Sequence, residues 1–283
     1  MADWQIGDVS ITKIIEEDSP VPGKFVLPDA TPEKLKAIPW LAPHFVTPEG
    51  WLKMSIHALI IETQGLKIMV DTCLGNDKER PNKAWANRSG PFLEDIAAAG
   101  HPRESIDYVI CTHLHVDHVG WNTMRVNNQW VPTFPNARYL FAKKEWDAWQ
   151  QEGDSKYFGP VLEDSVQPII DAGLAELVDC DHKINDHVWL EPTPGHTPGH
   201  VSVCIESQGQ RAIITGDMTH HPCQLAQPAW SCVADSDAAH AIETRWDFYA
   251  RYADQPVLII GTHFSPPTAG HIVKDGDSYK LNV

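Results

Sequence analysis

Six consecutive residues, from His113 to His118, hold three histidines and one aspartate, and this cluster constrains the chain more than any other stretch. It follows residues 106–111, which the apolar pattern predicts to be a strand. Alternate side chains of an extended segment share a face, so His113 and His115 can bind one metal ion. Asp117 and His118, on a turning backbone, can face a second ion. Imidazole and carboxylate are ligands that Zn²⁺ accepts, so the stretch predicts a metal site rather than a solvated histidine-rich turn.

Further candidate ligands lie downstream in a matching context, each just past a short apolar run. His196 follows residues 188–190, Asp217 follows residues 212–214, and His263 follows residues 257–260. Buried strands of α/β folds place functional groups at their carboxyl ends, where loops converge. The repeated pattern therefore predicts that these side chains meet at strand ends.

The spacing His113-x-His115-x-Asp117-His118 resembles the signature of the metallo-β-lactamase superfamily of metal-dependent hydrolases. The segments around His196, Asp217 and His263 resemble the remaining ligand motifs of that family, in the same order. The resemblance runs from about Ser55 to the C-terminus. It implies an α/β fold of the αββα sandwich type, with two mixed sheets packed together and helices outside.

The resemblance also implies a ligand set and a cofactor. It assigns His113, His115 and His196 to a first metal ion, Asp117, His118 and His263 to a second, and Asp217 to a bridge between them. Two divalent ions are expected, with zinc the first choice and iron, manganese and cobalt as alternatives, because imidazole and carboxylate suit all four metals.

Candidate catalytic residues are Asp117, Asp217, His220 and His221. The two adjacent histidines follow the bridging aspartate closely, so they either line the pocket and protonate the leaving group or are ordinary loop residues. A structural role is predicted for His200, because the Pro-Gly pair before it rules out helical spacing from His196. Asp71, at a strand end, is either an acceptor that orients a ligand histidine or a strand cap.

The implied activity is hydrolysis of a small ester or lactone, or of an organophosphate triester, by a metal-bound hydroxide. The branch of lactonases, esterases and phosphotriesterases resembling the N-acyl-homoserine lactonases and methyl parathion hydrolase fits best. Zinc β-lactamases commonly carry Cys or Ser in place of Asp217, diiron flavoproteins carry Glu in place of His115, and glyoxalase II has a longer extension after the ligand matching His263. Many lactonases also place a Tyr after the bridging Asp, whereas residues 218–230 contain none.

Two alternatives belong to other functional classes. A mononuclear iron persulfide dioxygenase of the same fold also carries the HxHxDH motif, and it would hold about one iron and consume O₂. A non-catalytic metal-binding protein would bind the ions without turnover. Metal content and a hydrolysis panel distinguish these alternatives from the dinuclear hydrolase.

Composition narrows the partners to small molecules. A net charge of −16 argues against nucleic acid or an anionic membrane surface, since both require a basic footprint. The six cysteines have no regular spacing, so neither a zinc ribbon nor a disulfide framework is predicted. No signal peptide is recognisable at Met1, and no apolar run approaches the ~20 residues that span a bilayer. We therefore expect a cytoplasmic enzyme with a small ester or lactone substrate.

One domain covering residues 1–283 is predicted, because no linker or composition shift divides the chain. Its proline-rich region at about 16–50 should be a loop with a short helix near 31–37, acting as a lid, a homodimer contact or a surface wrap. Hydrophobic periodicity and turn residues predict the other elements. Strands are expected at 5–15, 54–62, 66–70 and 137–142, helices at 91–99, 144–151, 159–172 and 235–254, and a loop at 120–135.

Overall fold

The chain forms two compact units in its computed structural model, which describes residues 3–153 and 158–283. The first unit comprises Met1–Glu16 and Ile56–Cys180, and the second comprises Glu17–Ser55 and Asp181–Val283. Each unit contains its own mixed β-sheet and its own hydrophobic core. The single domain predicted over residues 1–283, and the homodimer contact considered for its proline-rich region, stay predictions.

Strands and helices are numbered in chain order. The strands are β1 (Trp4–Ile6), β2 (Val9–Val21), β3 (Leu52–Thr63), β4 (Leu66–Val70), β5 (Tyr108–Cys111), β6 (Thr123–Val126), β7 (Gln129–Pro132), β8 (Arg138–Ala142), β9 (Ala175–Val178), β10 (Val188–Pro192), β11 (Val201–Ser207), β12 (Gln210–Ile214), β13 (Val257–Ile260), β14 (Ala269–Asp275) and β15 (Ser278–Asn282). The helices are α1 (Pro32–Lys36), α2 (Phe92–Ala98), α3 (Lys143–Glu152), α4 (Gln167–Asp171), α5 (Cys223–Ala226) and α6 (Ala238–Tyr252).

The first sheet has seven strands in the order β1-β2-β3-β4-β5-β8-β9. A hairpin joins β3 and β4, the strands predicted at 54–62 and 66–70, through Gln64 and Gly65, which both adopt positive φ. Strands β4, β5, β8 and β9 run parallel, so their carboxyl ends share one edge. The histidine cluster begins two residues after β5 and therefore emerges at that edge.

The prediction of an irregular loop over residues 120–135 is wrong, because β6 and β7 form an antiparallel hairpin there. Its turn consists of Asn127 and Asn128, with φ of 50° and 63°. Asparagine tolerates this left-handed conformation, which a two-residue hairpin turn requires. Seven of the eight strand residues are half-buried or exposed, so their apolar pattern is too weak to indicate strands.

The prediction that the loop begins at residue 16 is also wrong, since β2 continues to Val21 and includes Pro20. Proline's fixed φ is compatible with an extended strand wherever its missing N–H is not needed for pairing. The short helix expected within the proline-rich region is confirmed as α1. Its N-cap is the side chain of Thr31, which accepts a hydrogen bond from the backbone N–H of Lys34.

A buried ion cluster ties the loop after β4 to a π-helical turn at Leu162–Val166. The guanidinium of Arg80 donates two hydrogen bonds to the carboxylate of Asp164, at 2.6 and 2.9 Å. The ammonium of Lys78 donates to the Thr123 hydroxyl at 2.8 Å and lies 3.5 Å from the same carboxylate. Burial lowers the pKa of Lys78 to about 7, although Asp164 acts in the opposite direction. A single carboxylate therefore faces two buried basic groups.

The second sheet has six strands in the order β10-β11-β12-β13-β14-β15. Strands β12 and β13 are parallel, and β10 points the same way because two antiparallel pairings separate it from β12. All three strands thus end at one edge of the sheet. The segments that carry His196, Asp217 and His263 leave from this edge, which confirms the predicted strand-end context.

The helix predicted over 235–254 is present as α6. Of its apolar residues at helical spacing, Tyr249 is fully buried and Ile242 is half-buried, but Ala239 is exposed. Trp246 is 39% exposed, whereas the side chain of Arg245 is fully buried. Arg245 donates to the backbone carbonyl of Pro228 at 2.9 Å, so a charged residue occupies a position that periodicity reserves for an apolar one.

Within the described residues, none of the helices is both long enough and apolar enough to cross a membrane.

Candidate metal centre

His113 and His115 bring two ring nitrogens together in the first unit. Nε2 of His113 and Nδ1 of His115 lie 3.0 Å apart, and both side chains are buried. Nδ1 of His113 is 3.1 Å from the hydroxyl of Thr112. The strand ends at Cys111, so the two histidines converge from a turning segment rather than from the extended one assumed by the sequence argument. The convergence on one point is nevertheless as predicted.

Asp71 orients His118 in the same unit. The Asp71 carboxylate lies 2.8 Å from Nδ1 of His118, and it accepts hydrogen bonds from the N–H and hydroxyl of Thr112 at 2.8 and 2.9 Å. Of the two roles predicted for Asp71, the structure shows the contact expected of an acceptor that orients a histidine. With Nδ1 engaged, Nε2 of His118 is turned toward Asp117, whose carboxylate is 3.8 Å away.

Replacing Asp71 by Asn should weaken metal binding without removing a ligand. The amide cannot accept both hydrogen bonds of Thr112 and also orient the imidazole of His118, so the ring should lose its fixed direction. We expect a loss of metal affinity of about 10–100-fold, the usual effect of an outer-shell partner. Competition with a chromogenic chelator measures it. An unchanged affinity would show that Asp71 only caps the strand.

Glu145, in α3, contacts the backbone of the histidine segment. The sequence analysis did not predict this contact. Its Oε1 atom accepts a hydrogen bond from the backbone N–H of Leu114 at 3.2 Å and from Nε1 of Trp149 at 3.0 Å. The carboxylate is 1% exposed. Leu114 lies between the two converging histidines, so this contact fixes the backbone that carries them. A glutamate in a helix gives no such indication in the sequence.

Asp217 presents its two carboxylate oxygens to different histidines in the second unit. Oδ1 lies 3.1 Å from Nε2 of His263, while Oδ2 lies 3.5 Å from Nε2 of His196 and 3.2 Å from Nε2 of His220. Asp217 is 3% exposed. A carboxylate whose oxygens point at separate imidazoles is arranged to bind two cations rather than one.

The other ring nitrogens of these ligand candidates are held by the protein. Nδ1 of His196 is 2.9 Å from the carboxylate of Asp235, and Nδ1 of His263 is 3.0 Å from the backbone carbonyl of Ser55. Fixing one nitrogen in this way turns Nε2 toward Asp217, which is the usual preparation of a metal-binding histidine. Asp235 gave no signal in the sequence, because it lies in a loop of aspartates and serines without any recognisable spacing.

His200 and His221 both use their two ring nitrogens within the protein. Nε2 of His200 accepts the backbone N–H of Asp217 at 2.8 Å, and its Nδ1 is 2.9 Å from the hydroxyl of Thr193. This confirms the structural role predicted for His200. Nε2 of His221 is 2.8 Å from the carbonyl of Phe45, and its Nδ1 accepts the N–H of Cys223.

Burial lowers the pKa of His221 to about 4. Neutral, with both nitrogens occupied by backbone groups, His221 is placed for a structural role. Of the two adjacent histidines predicted as catalytic candidates, only His220 faces the carboxylate of Asp217. Burial by itself lowers the pKa of His220, but Cys232 and Asp217 beside it raise that pKa well above its usual value.

The donor sets of the two units suit divalent metal ions. Each set combines buried imidazole nitrogens with a carboxylate, and the ring directions are fixed by outer hydrogen bonds. Within the second unit, ligand atoms of His196, His220 and Cys232 also lie within 4.8 Å of one another. Such sets fit zinc, iron, manganese or cobalt better than calcium or magnesium, which prefer oxygen ligands.

The sequence model of the metallo-beta-lactamase superfamily matches residues 53–274, most of the chain. The chain belongs to the metallo-beta-lactamase superfamily. The fold class implied by the sequence resemblance is thereby confirmed, and the pair of mixed sheets is the architecture of this superfamily member.

Named relatives of this superfamily member include the N-acyl homoserine lactonase of Bacillus cereus, which is 26% identical over 181 residues. That match covers 58% of the chain and 63% of the relative, so the chain spans less than two thirds of the relative's length.

Solved structures with the same fold include AidC, described as a dizinc quorum-quenching lactonase in complex with a product. It has a TM-score of 0.79 and 22% identity, covering 99% of this chain and 95% of AidC. The hydrolase AbOPH has a TM-score of 0.80 and 25% identity, covering 98% of this chain and 95% of AbOPH.

Proposed function

We propose that the chain is a dinuclear metal hydrolase that cleaves the ester bond of a small molecule, a lactone in the first instance. The first ion would be held by His113, His115 and His196, the second by Asp117, His118 and His263, and Asp217 would bridge them. The observation that carries the proposal is the carboxylate of Asp217, whose two oxygens face two different histidines.

Two bound ions would supply a water-derived nucleophile near neutral pH and would polarise the carbonyl of the ester. Other residues of the chain orient the proposed ligands. Asp71, Asp235 and the carbonyl of Ser55 each fix the ring of one ligand histidine, so that Nε2 points inward. His220, which is 4% exposed and lies 3.2 Å from Asp217, would lie beside the reacting group.

A lactone is favoured over other esters for two reasons. Named relatives of the chain are N-acyl homoserine lactonases, although the chain covers only part of their length. The net charge of −16 disfavours polyanionic substrates, because a strongly acidic protein repels them over a distance of about one Debye length. Phosphotriesters are neutral as well, so they remain in the substrate test.

Metal removal and a substrate panel test the proposal. Protein stripped by a chelator should be inactive, and Zn²⁺, Mn²⁺ or Co²⁺ should restore hydrolysis with about two ions per chain. Lactones, aryl esters, thioesters and phosphotriesters form the panel, and the rate should rise with pH through one apparent pKa near or below neutrality. A His263→Ala variant, purified identically, controls for contaminating hydrolases.

Three results would overturn the proposal. Full activity in the stripped enzyme would exclude a metal-dependent reaction. An inactive panel, together with O₂ consumption on a persulfide and about one iron per chain, would identify the dioxygenase alternative instead. Tight binding of two ions with no turnover of either kind would indicate a non-catalytic metal-binding protein.

A further inference from the structure

The site described above does not account for the hydrogen bonding of one ring nitrogen of His220. Nε2 lies 3.2 Å from the carboxylate of Asp217, and the backbone N–H donates to Oε1 of Gln224 at 2.7 Å. Gln224 is itself held through its amide by the carbonyl of Trp230. Nδ1 of His220 is buried, yet within the described part of the chain it makes no hydrogen bond. A buried polar atom without a partner destabilises the folded protein, so a nearby group is expected to satisfy it.

Cys232 is a nearby side chain that can do so. Its Sγ atom and a ring nitrogen of His220 belong to a group of ligand atoms that all lie within 4.8 Å of one another. Cys232 is 8% exposed. Its sulfur accepts the backbone N–H of Ala234 at 3.4 Å, which leaves the S–H group available as a donor in another direction.

The backbone around Cys232 is anchored to a ligand histidine. The N–H of Cys232 donates to Oδ2 of Asp235 at 2.9 Å, and Oδ1 of the same carboxylate lies 2.9 Å from Nδ1 of His196. Arg245 lies 3.7 Å from Asp235 and holds the carboxylate from the helix side. The thiol is therefore carried on a loop whose position is set by the metal-binding residues.

We propose that Cys232 is a positioning residue for His220: its sulfur pairs with Nδ1 and so fixes the ring with a hydrogen on Nε2, directed at Asp217. If the imidazole is neutral, the thiol donates to Nδ1, and the ring hydrogen is on Nε2. If the imidazole is charged, Nδ1 donates to the sulfur, and Nε2 again carries a hydrogen. Both patterns give the same outcome, an N–H donor beside the bridging carboxylate.

The inference deepens the proposed function and rests on it, since a donor at this place is useful only next to a reacting carbonyl or leaving oxygen. His220, three residues after Asp217, would supply that donor, and Cys232 would hold it in the donor form.

Nitrogen-15 NMR of histidine-labelled protein tests the inference without relying on turnover. Chemical shifts distinguish a ring nitrogen that carries hydrogen from one that does not, and a His220→Gln variant assigns the signals. In the native protein, with and without zinc, Nε2 should carry the hydrogen. In Cys232→Ala, a second population with the hydrogen on Nδ1 should appear, and Cys232→Ser, which keeps a donor, should restore the native pattern.

Kinetics provide a second measurement. We expect Cys232→Ala to lower kcat by up to about tenfold with KM changed less than about twofold, the loss of one oriented hydrogen bond, and Cys232→Ser to recover most of the rate. Metal content should stay at the native value, because the sulfur is not assigned as a ligand. Cys223→Ala, a buried cysteine of the same unit, is the matched control and should change neither measurement.

The inference fails if Nε2 of His220 lacks a hydrogen in the native protein, or if Cys232→Ala leaves the NMR pattern unchanged. Loss of one metal equivalent in both Cys232 variants would instead make the sulfur a ligand and would also overturn it. None of these results depends on the identity of the substrate, so failure of the lactone proposal is recognised separately, by an inactive substrate panel with a normal NMR pattern.

Discussion

Asp217→Ala should abolish hydrolysis and weaken the binding of both metal ions. The two oxygens of Asp217 face His263 and His196 at 3.1 and 3.5 Å, so the substitution removes one ligand from each proposed site. It also removes the negative charge that would offset the charge of the two metal ions among several buried imidazoles. The rate should fall by more than about 10³-fold, the upper end of the cost of losing one oxyanion-hole donor. Metal analysis and single-turnover assays measure the two effects.

His263→Ala is the matched comparison, because it removes a ligand of one ion only. About one of the two ions should remain bound, while Asp217→Ala should retain less of both. Circular dichroism on both variants controls for misfolding. If Asp217→Ala keeps full metal content and full rate, the bridging assignment is wrong, and the carboxylate serves only the surrounding histidines.

Asp164→Asn should strongly destabilise the first unit. It leaves Arg80 charged and buried without its bidentate partner, since a guanidinium does not lose its proton inside a protein. Lys78 can respond by becoming neutral, because burial already lowers its pKa to about 7. Breaking a buried pair by removing one partner costs about 3–5 kcal/mol, and chemical denaturation measures the change in the free energy of unfolding.

Asp147→Asn is the control for this prediction. Asp147 also forms an ion pair, with Lys143, but the two side chains are 46% and 59% exposed. Its loss should change the free energy of unfolding by no more than about 0.5 kcal/mol. Equal effects of the two substitutions would contradict the view that burial, rather than charge pairing itself, makes the Asp164 cluster important.

Local sequence pattern was enough to predict the candidate ligands and the strand ends after which they lie. His113 and His115 are only two residues apart, so their side chains stay close together whether the backbone is extended or turning. The apolar runs before His196, Asp217 and His263 are short and bounded, so they can be recognised without knowing what packs against them. For the same reason the strands β3 and β4 and the helix α6 were predicted from local pattern.

Contacts between residues that are distant in the chain could not be predicted, because they form only when the segments pack together. Asp71 reaches His118 across 47 positions, and Asp235 reaches His196 across 39. The burial of Arg245 depends on the carbonyl of Pro228 and the carboxylate of Asp235, and the pairing proposed for Cys232 with His220 depends on the same loop. Local sequence sets which groups can bind a metal, whereas packing alone selects which nitrogen of each histidine faces inward, because that choice is made by an acceptor from another segment.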